Sequence, residues 1–230
     1  MPKVLSGLLS VTLIIGLVDT SEGEDHAEEV VVMKSNPHYS RHFFAPTAFP
    51  LQKGDGYMQT TWLVAWSANY GVVDYGSVGF VSTIVGMPFF ITPKIGMRIK
   101  DKWYMGGGVM LGYVDKKPLG ISYGLSTWGD IEQNLTLGLG WAFGRGKIEQ
   151  SPLVSVNATK RFAAAWMMMF ESWIFTENAS DFHLILYGVR WHRGGRNSLD
   201  IGLIIHRKIV KEWANSFYPG IPYFGWTFSF

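Results

Sequence analysis

Residues 134–143 read NLTLGLGWAF, and this stretch decides the fold. Large apolar side chains occupy every second position: Leu135, Leu137, Leu139, Trp141 and Phe143. The positions between them, from Asn134 to Ala142, carry only small or polar side chains. Because successive side chains of a β-strand point to opposite faces of the sheet, this period of two predicts a strand with one bulky apolar face and one small face.

The same alternation recurs along most of the chain. It is clear in Phe89–Ile99, Leu119–Ser126 and Ser198–Ile205, and turn residues such as Gly129-Asp130 separate the segments. Eleven segments are predicted in this way: about 57–69, 74–85, 89–99, 103–113, 119–128, 133–143, 152–161, 165–176, 181–191, 197–206 and 222–230. Short alternating strands with turns between them predict an all-β protein.

The chemistry of the small faces distinguishes a membrane barrel from a water-soluble sandwich. A soluble β-protein buries its bulky face and exposes polar residues on the other. Here the second face consists mainly of Gly, Ser, Thr and Asn with scattered charges, which suits a crowded interior better than a solvated surface. In lipid the bulky face turns outward, and closure leaves no backbone edge unpaired. We therefore predict a closed antiparallel transmembrane β-barrel.

The composition of the 230-residue chain agrees with this fold. It contains 27 Gly, and aromatic residues make up 15%, as expected for tightly turned strands with aromatic girdles. The balance of 20 basic against 18 acidic residues gives a net charge of +2, so no nucleic-acid partner is expected. Cysteine is absent, which excludes disulfides and thiolate chemistry and is compatible with an oxidising envelope compartment.

The N-terminus has the features of an export signal. Lys3 provides a positive start, Val4–Val18 is an apolar run, and small residues at Ser21 and Gly23 offer a cleavage site. The alternative is a membrane anchor that is never cleaved, for which the apolar run is short. We predict a signal peptide over residues 1–23 and a barrel over residues 39–230.

Between these two parts, residues 24–38 are acidic and then polar, without any period. They are predicted to form a flexible periplasmic N-terminal segment. The alternative is that this region folds back into the barrel and plugs it.

The number of strands is predicted from parity. Both termini of such a barrel lie in the periplasm, so the strand count is even. Counting back from Phe230 places the 207–221 connection outside the cell, and also the turn at residues 52–56. An additional strand must therefore come earlier, and Tyr39–Phe49 is predicted to supply it, although its prolines weaken the assignment. The expectation is twelve strands, with ten as the alternative.

The final strand carries a more specific signal. Every second residue back from the C-terminus is aromatic: Phe224, Trp226, Phe228 and Phe230. An alternating terminal strand that ends on Phe resembles the C-terminal signature that bacterial outer-membrane barrels present to the barrel assembly machinery. The resemblance implies a location in the cell outer membrane and this machinery as a partner during biogenesis.

A second resemblance covers most of the mature chain. The pieces FFAPTAF at 43–49 and QKGDGYMQ at 52–59 carry it, with NLTLGLGWAFG at 134–144 in support. In these pieces the sequence resembles a family of uncharacterised small outer-membrane β-barrel proteins of Gram-negative bacteria. The resemblance implies a fold and a location, but it brings no activity, cofactor or catalytic motif.

Several ionisable residues fall on the faces predicted to line the lumen: Lys94, Arg98, Arg161, Glu171, Arg190 and Asp200. An unpaired charge in a narrow interior is costly, so these groups should form pairs or meet water. They could form a polar constriction that selects small solutes, including anions. Alternatively, they could form a salt-bridge network that fills the barrel.

Catalysis has little support in the sequence. No nucleophile elbow is present, and no cofactor or metal site is predicted, since His38 and His42 lie in an extended segment where that spacing forms no ligand face. A lipid-modifying enzyme of the outer membrane would need a Ser–His pair from the following set: Ser172, Ser198, His183, His192 and His206.

Three classes of function therefore remain: a small-solute pore, a structural or partner-binding barrel with a filled lumen, and a lipid-modifying enzyme. The lipid bilayer is a partner in all three. The aromatic girdles that would anchor the barrel in it are predicted to include Trp62, Trp66, Trp103, Tyr113, Tyr123, Trp141, Trp226 and Phe230.

Overall fold

The computed structural model describes residues 36, 38–86, 88–114, 117–144, 147–148, 150–175, 183–206 and 220–230. The strands among these residues form one antiparallel sheet. The described residues include no helix long and apolar enough to cross a membrane. The strand segments are β1 (Gly56–Thr61), β2 (Ala65–Val73), β3 (Gly76–Thr83), β4 (Phe90–Ile91), β5 (Lys94–Lys100), β6 (Trp103–Val114), β7 (Lys117–Gly129), β8 (Gln133–Gly144), β9 (Lys147–Ile148), β10 (Leu153–Ala163), β11 (Trp166–Phe175), β12 (His183–Gly194), β13 (Asn197–His206) and β14 (Ile221–Ser229).

The sheet closes on itself. Strands pair with their neighbours in sequence, and the ring is completed where β1 pairs with β14, with Tyr57 opposite Ser229. β4 and β5 share one position in the wall, interrupted at Thr92 and Pro93, and β9 and β10 both pair with β8. The wall is therefore a closed antiparallel barrel of twelve strands, which confirms the predicted fold class.

The first predicted strand is in fact a hairpin. Residues 57–69 divide into β1 and β2, and residues 62–64 form the turn between them. Trp62 and Leu63 adopt φ values of 50° and 59° there, a region that side chains of this size rarely adopt. The turn contains neither Gly nor Pro, so no turn is predicted at this point from residue types.

The strand count of twelve was predicted correctly, but the additional strand was assigned to the wrong residues. Residues 39–49 supply no wall strand, and their one bridge pairs Arg41 with Pro46 within the same segment. Proline lacks the backbone donor that a wall strand needs. The turn at residues 52–56 is also not on the outside, because the Gly56 N–H donates to the Phe230 carbonyl at 3.1 Å. The hairpin, rather than residues 39–49, supplies the extra strand.

The two ends of the barrel can be told apart by their connections. At the end that carries Phe230, the connections after β2, β5, β7, β10 and β12 all have two or three residues, whereas those at the opposite end reach the 14 residues between β13 and β14. Because periplasmic turns of outer-membrane barrels are short, this is the periplasmic end. The opposite end, where β11 finishes and β12 begins, faces the outside of the cell.

Strand β8 has the orientation that its sequence predicts. Leu135, Leu137, Leu139 and Trp141 are 38–43% exposed on the outer surface, whereas Thr136 is fully buried toward the lumen. An outer surface of this kind fits hydrocarbon, and the alternation therefore reports the lipid-facing side directly.

Strand β7 is turned the other way from the prediction. Leu125 is 5% exposed and Tyr123 is largely buried, so the bulky residues of this strand face inward. Its small residues face lipid, and Gly124 lies opposite Leu139 of the neighbouring strand. Phe143 of β8 covers Gly120 opposite it, whereas Gly124 stays exposed. Tyr123 was predicted to belong to an aromatic girdle, but it faces the lumen and is not part of one.

The final strand exposes its aromatic residues to lipid as expected. Phe224, Trp226, Phe228 and Phe230 are 44–51% exposed, and the intervening Tyr223 and Thr227 are fully buried. Other large aromatic residues of the outer surface include Trp62, Trp66, Tyr113 and Trp141. Their exposed rings are suited to the two membrane interfaces.

The lumen is occupied by the segment that precedes β1. Residues 38–51, here called the plug, are enclosed by the wall, and Phe43, Ala45 and Ala48 are at most 1% exposed. The N–H of Ala48 donates to Thr127 Oγ1 of β7 at 2.9 Å. The plug also contacts β11 across the lumen, through the Glu171 carboxylate. Of the predicted flexible segment 24–38, only Asn36 and His38 are among the described residues, and both are buried.

Candidate functional site: the plugged lumen

Arg190 is the centre of the contact between the plug and the wall. Its guanidinium donates to both carboxylate oxygens of Asp200 on the neighbouring strand, at 2.7 and 2.9 Å. The same guanidinium donates to the plug carbonyls of His38 and His42 at 3.0 Å each, and to that of Arg41 at 3.4 Å. The Arg190 and Asp200 side chains are at most 1% exposed. The wall therefore supplies an ion pair that also hydrogen-bonds the plug backbone.

Glu171 holds the next part of the plug. One carboxylate oxygen accepts the N–H groups of Phe44 at 2.9 Å and Ala45 at 3.1 Å. The other accepts the indole N–H of Trp173 at 2.6 Å. This fully buried carboxylate is thus satisfied by three donors, two of which belong to the plug.

Lys94 makes the complementary set of contacts. Its ammonium donates to the carbonyls of Ser40, Thr47 and Phe49 at 3.0–3.3 Å. All three acceptors belong to the plug backbone. Wall cations therefore bind plug carbonyls, and a wall anion binds plug N–H groups.

Arg98 and Arg161 lie outside this network. Arg98 is on β5 but close to its end, where its side chain is 59% exposed and pairs with Asp101. Arg161 pairs with Glu132 and donates to the Ala164 carbonyl at 2.8 Å, beside the turn between β10 and β11. The prediction that Arg98 lies within the lumen is wrong, because the face of the strand continues past the edge of the barrel into solvent. Arg161 likewise belongs to the periplasmic rim.

An apolar cluster fixes the plug on the side of β11–β14. Phe43 and Phe44 meet the Tyr223 ring edge-on, with centroid distances of 5.0 and 5.3 Å. Phe43 also packs against the buried cluster formed with Met169, Leu186 and Ile204. Aromatic pairs of this geometry contribute about 0.5–1.5 kcal/mol each beyond the burial of their surface.

Two histidines of the plug are held neutral. His42 contacts Thr159 Oγ1 at 2.9 Å and Thr136 Oγ1 at 3.4 Å. Burial, and then the positive Arg190 guanidinium, lower the pKa of His38 and His42, that of His42 to about 3. Uncharged imidazoles can pack beside this guanidinium without repulsion.

The candidate Ser and His residues lie in different environments. Ser172 Oγ is 2.8 Å from His183 Nε2 near the extracellular end, and both residues occupy outward positions of their strands, with Ser172 only 5% exposed. His192 and Ser198 lie opposite each other on β12 and β13 and are buried toward the lumen. Of the five residues, only Ser172 and His183 have a described hydrogen bond to each other.

A plug was predicted only as the alternative for residues 24–38, whereas residues 39–49 were predicted as a wall strand, although they carried a signal for a plug. The stretch FFAPTAFP at 43–50 combines three phenylalanines and two alanines with two prolines and has no period of two. An apolar segment that can neither alternate nor donate at its prolines is unsuited to the wall, but its apolar content still requires burial.

Comparison with solved structures supports the barrel class. No protein-family model matches the sequence, and no curated protein is similar to it. The KdgM porin has a TM-score of 0.51 at 8% identity, over 76% of this chain and 95% of that chain. The NanC porin has a TM-score of 0.49 at 8% identity, covering 76% and 97%. The KdgM porin with disordered oligogalacturonate has 0.49 at 7%, covering 76% and 95%. The likeness to the KdgM porin supports the fold, a closed antiparallel β-barrel of the kind that outer-membrane porins have.

Proposed function

We propose that this protein is a channel for small solutes whose plug is its gate. The conformation described here is the closed one. Release of residues 38–51 from the lumen opens a path along the small and polar inner faces of the strands. The proposal assigns the passage of small solutes to the barrel and the control of that passage to the plug.

The observation that carries the proposal is the way in which the plug is attached. Among the described residues, the backbone-to-backbone hydrogen bonds of residues 38–51 join the plug only to itself, as between His42 N–H and the Ala45 carbonyl at 2.8 Å. Its contacts with the wall are made by wall side chains such as Glu171, Lys94 and Arg190. The plug can therefore leave without breaking the hydrogen-bond ladder that closes the barrel.

A reversible covalent lock tests this proposal. The natural chain has no cysteine, and the 2.9 Å bond between Ala48 N and Thr127 Oγ1 brings these two positions within reach of a disulfide. We expect the variant A48C/T127C to show channel openings in planar bilayers when reduced. When oxidised it should show none, and a reductant should restore them. A48C alone is the control and should not respond to oxidation.

Two results would contradict the gate. Equal conductance of the oxidised and reduced variant would mean that solutes do not need the plug to move. Absence of openings in the reduced variant and in the natural protein, at every voltage tested, would favour a barrel with a permanently filled lumen and a structural or partner-binding role.

The gate should respond to acid. A released histidine has an ordinary pKa near 6.5. Because docking lowers the pKa of His38 and His42, the docked state has its full stability above about pH 6.5 and loses it as the pH falls below that value. We expect openings to become more frequent from pH 7 to pH 5 in single-channel recordings. H42N should reduce this increase, and an unchanged increase in H42N would exclude His42 from the effect.

A second candidate function rests on the Ser172–His183 contact of 2.8 Å near the extracellular interface. In a lipid hydrolase of this kind, Ser172 Oγ would attack an ester carbonyl while His183 accepts its proton. The proton then passes to the departing alcohol, and water releases the acyl group from the serine. Release of fatty acid from phospholipid vesicles by the natural protein, and its loss in S172A, would support this candidate. Equal release of fatty acid by the natural protein and by S172A would exclude the lipid-hydrolase function.

We also propose that the final strand directs assembly of the barrel. The variant F230S keeps the backbone pairing of β14 but removes its terminal ring. We expect several-fold less heat-modifiable barrel in the outer-membrane fraction of cells, while purified F230S refolds in detergent as well as the natural protein. S229A, which changes the neighbouring inward residue, is the control. Normal levels of F230S in the outer membrane would show that Phe230 is not part of the signal.

A further inference from the structure

A small cavity lies between the plug and the wall. Its volume is about 130 Å³. The plug residues Arg41 and Phe44 form part of its lining, and the wall contributes Lys94 from β5. Arg41 and Lys94 are cationic, and the lining contains no acidic side chain among the described residues. The cavity therefore carries an excess of positive charge in a confined space.

Arg41 has an unused hydrogen-bonding edge. Its Nε donates to the Phe44 carbonyl at 3.1 Å, and Nη1 donates to Gln59 Oε1 and Ser67 Oγ at 2.9 Å each. Its Nη2 makes no hydrogen bond to any described residue, and no described carboxylate forms a salt bridge with the side chain. The guanidinium is thus held in place by three bonds while two N–H donors are left for another molecule.

The rest of the lining is mainly apolar. Ile121, Leu125, Leu153 and Trp173 contribute to it, and the polar lining atoms are few. The volume is close to that of an engineered cavity of about 150 Å³ that takes up benzene. A single ring or a short branched chain would therefore fit the apolar part.

We propose that this cavity is a binding site for a small monoanion with an apolar group, of the class of single-ring carboxylates. Its carboxylate accepts hydrogen bonds from Arg41 Nη2, and its ring rests on the apolar lining. The carboxylate also lies near the Lys94 ammonium and competes with the plug carbonyls for it. The proposal rests on the proposed function only in treating this anion as a solute of the channel.

Calorimetric titration of the purified protein in detergent tests the site, with benzoate as the probe and neutral benzamide as its matched control. The titrations use oxidised A48C/T127C, so that a change at Arg41 cannot act through release of the plug. We expect benzoate to bind at least about tenfold more tightly than benzamide, because only benzoate brings a negative charge to the guanidinium and forms an ion pair with it. R41M should weaken benzoate binding by at least about tenfold, and R41K by less. R98Q, at the exposed periplasmic rim, should bind as the parent does.

Equal affinities for benzoate and benzamide, or unchanged benzoate affinity in R41M, would overturn the proposal, as would the absence of benzoate binding at millimolar concentration. These outcomes are separate from failure of the gate. The binding is measured at equilibrium on the locked, closed protein, whereas the gate is judged from conductance without any ligand.

Discussion

Replacement of Arg190 by alanine should lower the free energy of unfolding by about 3–5 kcal/mol, the usual effect of removing one partner of a buried ion pair. Asp200 would be left fully buried without its counter-charge, and the plug carbonyls of His38 and His42 would lose their donor. The same change should increase channel opening, because three of the bonds that hold the plug end on this guanidinium.

Urea unfolding in detergent, followed by tryptophan fluorescence, measures the first effect. R98A is the matched control, since the Arg98–Asp101 pair is exposed and should contribute at most about 1 kcal/mol. The double variant R190M/D200L should recover much of the loss, because it removes both buried charges together. If R190A were no less stable than R98A, the Arg190–Asp200 pair could not be what holds the plug region together.

The second large effect is expected from a single wall glycine. A Cβ atom on Gly96 would lie 2.3 Å from the Ala48 carbonyl oxygen, and its three nearest neighbours are all plug atoms, from Ala48 and Pro50. G96V should therefore displace the plug while leaving the neighbouring strands undisturbed. We expect the channel to change from mainly closed to mainly open in planar bilayers.

Gly124 provides the control for this variant. It faces lipid, and a Cβ atom there would have no heavy atom within 4 Å. G124V should keep the closed behaviour of the natural protein, and both variants should remain heat-modifiable on unheated gels. A folded G96V protein that stays closed would show that the plug tolerates the added methyl groups or does not control the conductance.

The sequence alone could predict the wall because lipid imposes a simple pattern on it. Residues 134–143 and the final strand alternate strictly, and each exposes the predicted residues. Prediction failed where the neighbouring strand decides which face of a strand points to lipid. Gly124 faces lipid because Leu139 lies opposite it, and no property of β7 taken by itself contains that information. The turn at Trp62 and Leu63 was missed since its residue types are unusual at positive φ.

The lumen site could be predicted in part. The period of two placed Lys94, Glu171, Arg190 and Asp200 on inward faces, and all four are buried there. Their partners could not be predicted, because most are backbone groups of the plug, and a backbone N–H or carbonyl has no signature in the sequence. Arg98 was misplaced since alternation gives the face of a strand but not the depth at which the barrel ends.

The attachment of the plug through four wall charges has a consequence for the hydrated pore. Once the plug leaves, water takes its place around Lys94, Arg190, Glu171 and Asp200, so water replaces the plug groups as hydrogen-bonding partners of these charges. Two are positive and two negative, and their charges cancel. An open pore ringed in this way should discriminate weakly between cations and anions. Arg41, the cation with unused N–H donors, leaves the lumen with the plug. The closed protein should therefore bind anions selectively, whereas the open pore should conduct solutes with little selectivity for charge.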